Sequence, residues 1–236
     1  MAQLTFVEQC ESTNDLILDF LDPEYKEICA LYTLNQTKGR GQYGNIWNSD
    51  QNKNIAFSAA LRCDFYSQDF INFHTAVILR DFLANLTHSE VFIKWPNDLI
   101  LKNKKIAGIL IERKKVKNHF FYIIGMGLNV LQEDFLNLPK AGSILTQTGL
   151  KFQPKPLAKQ LFEFLSLQLS TETSPEKIHT IYNDWLFRKN KVSVFEIDKI
   201  RQNGIIQTVD QKGQLWINLE KDGVKSFARQ EISLLY

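Results

Sequence analysis

Residues 91–130 constrain the fold most strongly, because three apolar segments follow one another there and are joined by short turns. The predicted strands cover residues 91–101, 104–112 and 119–130. Pro96 interrupts the first strand, since proline lacks the N–H that a strand ladder needs, and Asn97 and Asp98 follow at this break. The turns between the segments predict hairpins. We therefore expect a sheet with polar side chains at a break in one strand.

Further strands and helices are predicted on both sides of this region. The strands cover residues 3–8, 28–34 and 54–61, and the helices cover 69–86, 156–170 and 174–189. Apolar residues recur at helical spacing in the first helix, and Ser174 followed by Pro175 is a typical helix start. With 44% apolar and 23% charged residues among 236, the composition favours a globular protein with one sizeable core.

From Lys191 onward the pattern changes to short β segments separated by turn signals. The hairpin signals are the dipeptides Asn203-Gly204, Lys212-Gly213 and Asp222-Gly223. We predict a small SH3-like β-barrel that docks on the larger unit, because a module this short buries little hydrophobic core by itself. The predicted fold class is α/β (α+β), a mixed β-sheet flanked by helices, with domains at residues 1–189 and 190–236.

Composition also restricts the function. A net charge of +2 is too balanced to indicate nucleic-acid binding by bulk electrostatics. The three cysteines and four histidines are scattered, without the spacing of a zinc or redox site. The longest apolar run, residues 120–131, is too short to span a bilayer, and no secretory signal precedes the first predicted strand. We expect a soluble, cytoplasmic enzyme or binding protein without a membrane partner.

Residues 36–47 contain a dense glycine cluster, with three of the chain's 11 glycines. These are Gly39, Gly41 and Gly44. Glycine permits positive φ and close approach to a ligand, so the cluster predicts a mobile loop. Arg40 is free to reach a carboxylate or phosphate bidentately, and Trp47 ends the loop with a large apolar anchor. The loop matches neither the phosphate loop nor the dinucleotide-binding motif, so a ligand-binding loop and a basic surface turn remain open.

Two other segments offer ligand contacts. Ser12-Thr13-Asn14 precedes a predicted helix, and its serine forms a capping-box pattern with Asp15. Alternatively, these side chains hold a polar ligand group at the helix N-terminus. Gly108 lies inside an apolar strand, which predicts close packing against its backbone. Gly125 and Gly127 alternate and leave one face of another strand bare.

Five motifs in a fixed order resemble those of the biotin–protein ligases. They are Ser12-Thr13-Asn14, Gly39-Arg40-Gly41-Gln42 with Gly44 and Trp47, Lys94-Trp95-Pro96-Asn97-Asp98, Lys105 to Glu112, and Gly125 to Asn129. Near the end, Gln230-Glu231-Ile232-Ser233 resembles the close of the family's C-terminal barrel. The resemblance implies a fold related to the class II aminoacyl-tRNA synthetase core. It also implies a short form without the DNA-binding domain of some relatives, so no DNA partner is expected.

The resemblance implies a two-step ligase reaction that uses ATP and Mg²⁺. Biotin and ATP give biotinyl-5′-AMP and pyrophosphate, and biotin then passes to a lysine of a biotin carboxyl carrier protein domain. The implied catalytic side chains are Lys105, Arg40 and Lys94. The implied biotin contacts are Ser12, Thr13, Asn14, Gln36, Gly39, Arg40, Gly41, Gln42, Lys105, Gly108 and Ile109. The implied ATP and adenylate contacts are Arg40, Gln42, Trp47, Lys94, Asn97, Lys105 and Asn129, with Asp98 as a magnesium ligand.

The chain departs from the family pattern at three positions. Gln42 and Asn45 stand where many members have arginines, and Leu235 replaces a late basic residue. We therefore expect the glycine loop to hold the adenylate more by hydrogen bonds than by charge. The corresponding hypothesis is that some biotinyl-AMP is released.

Two other functions and two modes of association stay open. A lipoate or octanoate ligase shares the fold, and a non-catalytic biotin or nucleotide sensor is the alternative from another class. A sheet edge near residues 105–112 or 119–124 is expected to support either a homodimer or strand pairing with the carrier domain.

Overall fold

A seven-stranded mixed sheet forms the larger layer of the protein, seen here in a computed structural model that describes residues 3–22, 27–62, 67–136 and 138–236. Its strands are β1 (Gln3–Phe6), β2 (Cys29–Thr33), β3 (Asn54–Arg62), β4 (Val91–Lys94), β5 (Asp98–Leu101), β6 (Lys104–Val116) and β7 (His119–Asn129). Across the sheet they run β1-β2-β3-β7-β6-β5-β4. β1 and β2 are parallel and the other neighbours are antiparallel, which confirms the predicted mixed sheet.

The predicted break at Pro96 is a hairpin between two strands. β4 and β5 are antiparallel, and Lys94 lies directly opposite Asp98. The next turn consists of Lys102 and Asn103, with φ angles of 47° and 64°, as two-residue hairpins of this kind require. The functional side chains at the break therefore lie on neighbouring strands.

Five α-helices accompany the sheet in the described part of the chain. They are α1 (Thr13–Leu16), α2 (Gln68–Thr87), α3 (Ile144–Thr148), α4 (Pro154–Ser170) and α5 (Pro175–Asp184). Ser174 accepts a hydrogen bond from the Lys177 N–H, which confirms the predicted start of α5. The predicted end near residue 189 is wrong, because the chain after Asp184 pairs with the edge of β4 through Ile93 and Phe187. None of the described helices is long and apolar enough to cross a membrane.

A five-stranded antiparallel sheet follows from residue 192 onward. Its strands are β8 (Val192–Ile197), β9 (Ile200–Val209), β10 (Leu215–Leu219), β11 (Gly223–Phe227) and β12 (Ser233–Leu235), in the order β11-β10-β9-β8-β12. This sheet confirms the predicted small C-terminal β unit, although it is not closed into a barrel, because the edge strands β11 and β12 do not pair. The sheet packs on the larger unit as expected: Trp95 Nε1 donates to the Gly213 carbonyl at 3.0 Å, and both units share one hydrophobic cluster.

The predicted sheet edges have different outcomes. Residues 121–124 lie inside the sheet, paired with both β3 and β6, so the expectation of a free edge there is wrong. β6 pairs with β5 only as far as Gly108. Between Leu110 and Val116, β6 pairs with β7 alone among the strands of the described residues.

Candidate active site

A cavity of about 340 Å³ is lined by the segment before α1, the glycine loop, the β4–β5 turn, β6, β7 and the C-terminal sheet. The predicted site residues that line it are Ser12, Thr13, Asn14, Gln36, Arg40, Gly41, Gln42, Trp47, Lys94, Asn97, Asp98, Lys105, Gly108 and Ile109. Gly39 and Asn129 lie outside this lining. A Cβ at Gly39 would come 2.6 Å from Gln36 Nε2, and Asn129 Nδ2 donates to the Gly142 carbonyl at 2.9 Å.

One end of the cavity carries a cluster of uncharged polar groups. Thr13 donates from its backbone N–H to Gln36 Oε1 at 2.8 Å. Ser58 Oγ lies 2.8 Å from Thr13 Oγ1 and 2.6 Å from Asn14 Oδ1. Thr13, Asn14 and Ser58 are all buried. Thr13, Asn14 and Gln36 of this cluster line the cavity and offer hydroxyl and amide groups in fixed orientations to a neutral polar ligand.

The Ser12 side chain does not cap α1. Ser12 occupies the N-cap position, yet its side chain makes no capping hydrogen bond. Asp15 Oδ1 instead forms an ion pair with Arg40 Nη2 at 2.7 Å. The capping-box interpretation is therefore wrong, and Ser12 faces the cavity.

The predicted bare face of β7 is covered by side chains of the site. A Cβ on Gly125 would overlap the Asn14 amide, and a Cβ on Gly127 would overlap the Trp47 indole. On the neighbouring strand, a Cβ on Gly108 would come 3.2 Å from both Trp47 and Lys105. These glycines let Asn14 and Trp47 lie directly against the sheet.

The other end of the cavity carries lysines around one carboxylate. Lys105 Nζ lies 2.6 Å from Asp98 Oδ1, and Lys94 Nζ lies 3.7 Å from Asp98 Oδ2. Burial lowers the pKa of Lys94 below its usual value, and Lys105 and Lys140 lower it further, while Asp98 opposes the shift. More positive than negative charge is thus concentrated here, as an anionic ligand requires.

The Asn97 side chain is turned toward the strand beside it. Its Nδ2 donates to the Ile109 carbonyl at 2.6 Å, and the Ile109 N–H donates to the Asn97 carbonyl at 3.0 Å. These bonds fix the β4–β5 turn against β6, and with it the spacing between Asp98 and Lys105.

Some buried polar atoms near the site have no hydrogen-bond partner among the described residues. They are Gln42 Oε1, Trp47 Nε1 and Asn129 Oδ1. Buried polar groups are usually paired, so these atoms are candidate ligand contacts. Within the same ranges no group of three or more His, Cys, Asp or Glu side chains could hold a metal ion.

The sequence interpretation missed three side chains at the site. Ser58 is the one hydroxyl in the otherwise apolar core of β3, and this was the only signal for it. Glu112 accepts from Asn14 Nδ2 at 2.8 Å and from Arg40 Nη2 at 3.3 Å. Asp15 was predicted only as a capping residue and Glu112 only as the end of a motif. Their ion pairs with Arg40 had no local signal, because Arg40 lies 25 and 72 positions away.

Comparisons with known proteins agree with one another. Residues 6–129 match the model of the biotin/lipoate A/B protein ligase family. The bifunctional ligase/repressor BirA of Salmonella typhimurium is 30% identical over 95% of this chain and 72% of its own length. The BirA protein of Escherichia coli is 29% identical, with coverage of 95% and 71%. The biotin protein ligase of Aquifex aeolicus, solved in complex with biotin and ATP, has the same fold, with a TM-score of 0.80, 23% identity and 98% of both chains covered.

Proposed function

The chain belongs to the biotin/lipoate A/B protein ligase family, and from this premise we propose that it is an ATP-dependent biotin–protein ligase. A biotin carboxylate oxygen attacks the α-phosphorus of ATP, which releases pyrophosphate and leaves biotinyl-5′-AMP. The amine of a lysine on a biotin carboxyl carrier protein then attacks the acyl carbon, and AMP leaves. The acceptor lysine loses a proton as the amide forms.

The observation that carries this proposal is one cavity with a neutral polar end and a cationic end. The ureido ring of biotin is uncharged and needs both donors and acceptors, which Thr13 and Asn14 present to the cavity, while Ser58 behind them holds both side chains in place. The dithiolane ring of lipoate makes no comparable hydrogen bonds, so the same cluster favours biotin. A ligand that cannot form these hydrogen bonds would leave the buried polar groups unpaired, which costs binding free energy.

At the cationic end, Lys105 and Lys94 bring positive charge to the meeting point of two anions. A carboxylate and a triphosphate repel each other, so the reaction depends on charge stabilisation and alignment. Asp98 holds Lys105 in place by their ion pair, and Trp47 lies beside the same ammonium, 5.4 Å from ring centroid to Nζ. Arg40 of the glycine loop lines the same cavity and adds a further positive charge to it.

Asp98 pairs closely with Lys105 through Oδ1, whereas its Oδ2 is 3.7 Å from Lys94, beyond hydrogen-bond distance. Asp98 can therefore still offer one oxygen to a magnesium ion that is bound mainly through the nucleotide. Mg²⁺ is commonly held by one or two carboxylates, while phosphate oxygens and waters complete its octahedral shell. Asp98 would hold the ion, which supplies further positive charge to the phosphates. This role uses one protein carboxylate and requires no larger acidic cluster.

Pyrophosphate exchange into ATP tests the first step with biotin, with lipoate and with neither. We expect exchange that depends on biotin. Exchange with lipoate instead would overturn the substrate assignment. No exchange with either acid, together with tight biotin binding by calorimetry, would identify a sensor and contradict the enzyme.

A further inference from the structure

Arg40 is held by two carboxylates that belong to different parts of the fold. Its Nη2 atom lies 2.7 Å from Asp15 Oδ1 on α1 and 3.3 Å from Glu112 Oε2 on β6. Glu112 is itself fixed by Asn14 Nδ2 at 2.8 Å and by Lys114 Nζ at 3.1 Å. The guanidinium is thereby tied to the segment that forms the neutral polar end of the cavity.

The two carboxylates leave most of the guanidinium free. Arginine carries five N–H donors in a planar fork, and both ion pairs fall on Nη2. Among the described residues Nε and Nη1 have no hydrogen-bond partner, and their donors are available for an anionic ligand in the cavity that Arg40 lines. Both carboxylates are bound through Nη2, so Nε and Nη1 are the atoms through which Arg40 would bind a phosphate.

The loop depends on this one cation. Its other cavity-lining residues are uncharged, namely Gln36, Gly41, Gln42, Tyr43, Asn45, Ile46 and Trp47. Lys38, the second basic residue of the loop, pairs with Glu11 at 2.7 Å and does not line the cavity. The orientation of this one guanidinium therefore determines the charge that the loop contributes to phosphate binding.

We propose that Asp15 is a positioning residue that aims Arg40 at the adenylate phosphate and slows release of biotinyl-AMP. The proposal rests on the proposed function, because it concerns the adenylate formed there. Asp15 touches neither substrate nor reacting atoms in this role and acts only through Arg40.

The chain supplies a matched control in the Lys38–Glu11 pair. It joins the same two segments as the Arg40–Asp15 pair and has the same N–O distance of 2.7 Å. Glu11→Gln removes this tether without altering the guanidinium. A purely structural role in fastening the loop would make the two variants equivalent.

The experiment measures release of biotinyl-AMP from the full-length protein. Adenylate is formed from labelled biotin and ATP, unlabelled adenylate is added as a chase, and loss of label is followed with time. Arg40 and Asp15 are 45% and 52% exposed, so we expect Asp15→Asn to accelerate release by about threefold to fivefold. Asp15→Glu should restore slow release, and Glu11→Gln should match the unaltered protein.

The Arg40→Ala background separates positioning from other effects. There, Asp15→Asn should cause no further acceleration, because the group it positions is gone. Three results would each overturn the proposal. Glu11→Gln could accelerate release as much as Asp15→Asn does, Asp15→Asn could slow release, or Asp15→Asn could accelerate release just as much in the Arg40→Ala background. If the unaltered protein forms no adenylate, the proposed function itself is contradicted.

Discussion

We place Lys105 at the point where the two anionic substrates of the proposed reaction meet. Its Nζ is 2.6 Å from Asp98 Oδ1, and its removal leaves that carboxylate with Lys94 at 3.7 Å. We expect Lys105→Ala to slow adenylation at least about tenfold, because a charge-assisted contact to the transition state is lost.

Biotin-dependent pyrophosphate exchange measures this loss. Lys115→Ala, on the exposed outer half of the same strand, is the matched control and should exchange at the normal rate. A folded Lys105→Ala protein with normal exchange would contradict the catalytic assignment.

Two glycines on β7 should affect the two ligands separately. Alanine at Gly125 displaces the Asn14 amide, while alanine at Gly127 displaces the Trp47 indole. Overpacking of this kind costs about 1–3 kcal/mol. We therefore expect Gly125→Ala to weaken biotin binding about tenfold with little effect on ATP binding. Gly127→Ala should weaken ATP binding about tenfold with little effect on biotin binding.

Calorimetric titration of each variant with each ligand checks this pair, with thermal unfolding as the test of folding. The two variants serve as controls for each other, since both add one methyl group to the same strand. Loss of both ligands in both variants would mean that the strand itself is distorted.

At the scale of residues, the sequence predicts which side chains line the cavity better than it predicts the contacts between those side chains. Glycine spacing located the bare face of β7, because a strand alternates its faces regularly. The ion pairs of Arg40 with Asp15 and Glu112 join residues 25 and 72 positions apart. No local pattern indicates such pairs, since they depend on the register of several strands.

Among the elements, β9 shows how a turn signal is overridden by packing. Asn203-Gly204 predicted a hairpin, but Gly204 is inside the strand, and the turn is made by Asp198 and Lys199 with φ angles of 49° and 66°. A Cβ on Gly204 would come 2.9 Å from the Ile217 side chain. This glycine is required by the core of the C-terminal sheet and not by a turn.

Gly204→Ala should therefore lower the free energy of unfolding by about 1–3 kcal/mol, because the added methyl overpacks this core. Urea unfolding measures the change. Asn203→Ala on the exposed face of β9 is the control and should stay within about 0.5 kcal/mol. Equal stability of the two variants would show that the sheet rearranges freely around residue 204.

The buried histidine of α2 should make stability depend on pH. Burial lowers the pKa of His74 from 6.5 to about 4. As the pH falls from 6.5 toward about 4, His74 is protonated in the unfolded chain but stays neutral in the folded chain. The free energy of unfolding therefore decreases. We expect a loss of about 2 kcal/mol between pH 7 and pH 5 from this group.

His74→Gln should remove that part of the pH dependence, since glutamine does not titrate. The measurement compares urea unfolding of both proteins at pH 7 and pH 5. If the variant loses as much stability as the unaltered protein, His74 is not the source of the acid sensitivity.

For the molecule as a whole, the predicted boundary at residues 189 and 190 divides a continuous core. Phe195 and Ile217 of the C-terminal sheet belong to the same hydrophobic cluster as Leu186 and the large sheet. The sequence predicted docking because the module is small, but the side chains that fasten it have no sequence signal. One of these side chains is Asn183 on α5.

Asn183 accepts hydrogen bonds from the Val209 N–H and from Thr208 Oγ1, both at 2.7 Å. Its own Nδ2 donates to the Val209 carbonyl at 3.0 Å. Asn183→Ala removes these bonds from a buried position, so we expect the free energy of unfolding to fall by about 1–3 kcal/mol. The adjacent and more exposed Asp184→Ala is the control.

The shared core determines how this loss should appear. Because one hydrophobic cluster spans both sheets, the unaltered protein should unfold in a single cooperative transition. Asn183→Ala should then accelerate hydrogen exchange of β9 and β10 more than that of β7, since it loosens the C-terminal sheet first. The rate of biotin-dependent pyrophosphate exchange into ATP should also fall, because Arg229 and Ser233 of the C-terminal unit line the cavity. If hydrogen exchange in β9 is faster in Asn183→Ala while adenylation proceeds at the full rate, the C-terminal unit contributes no binding group to the reaction.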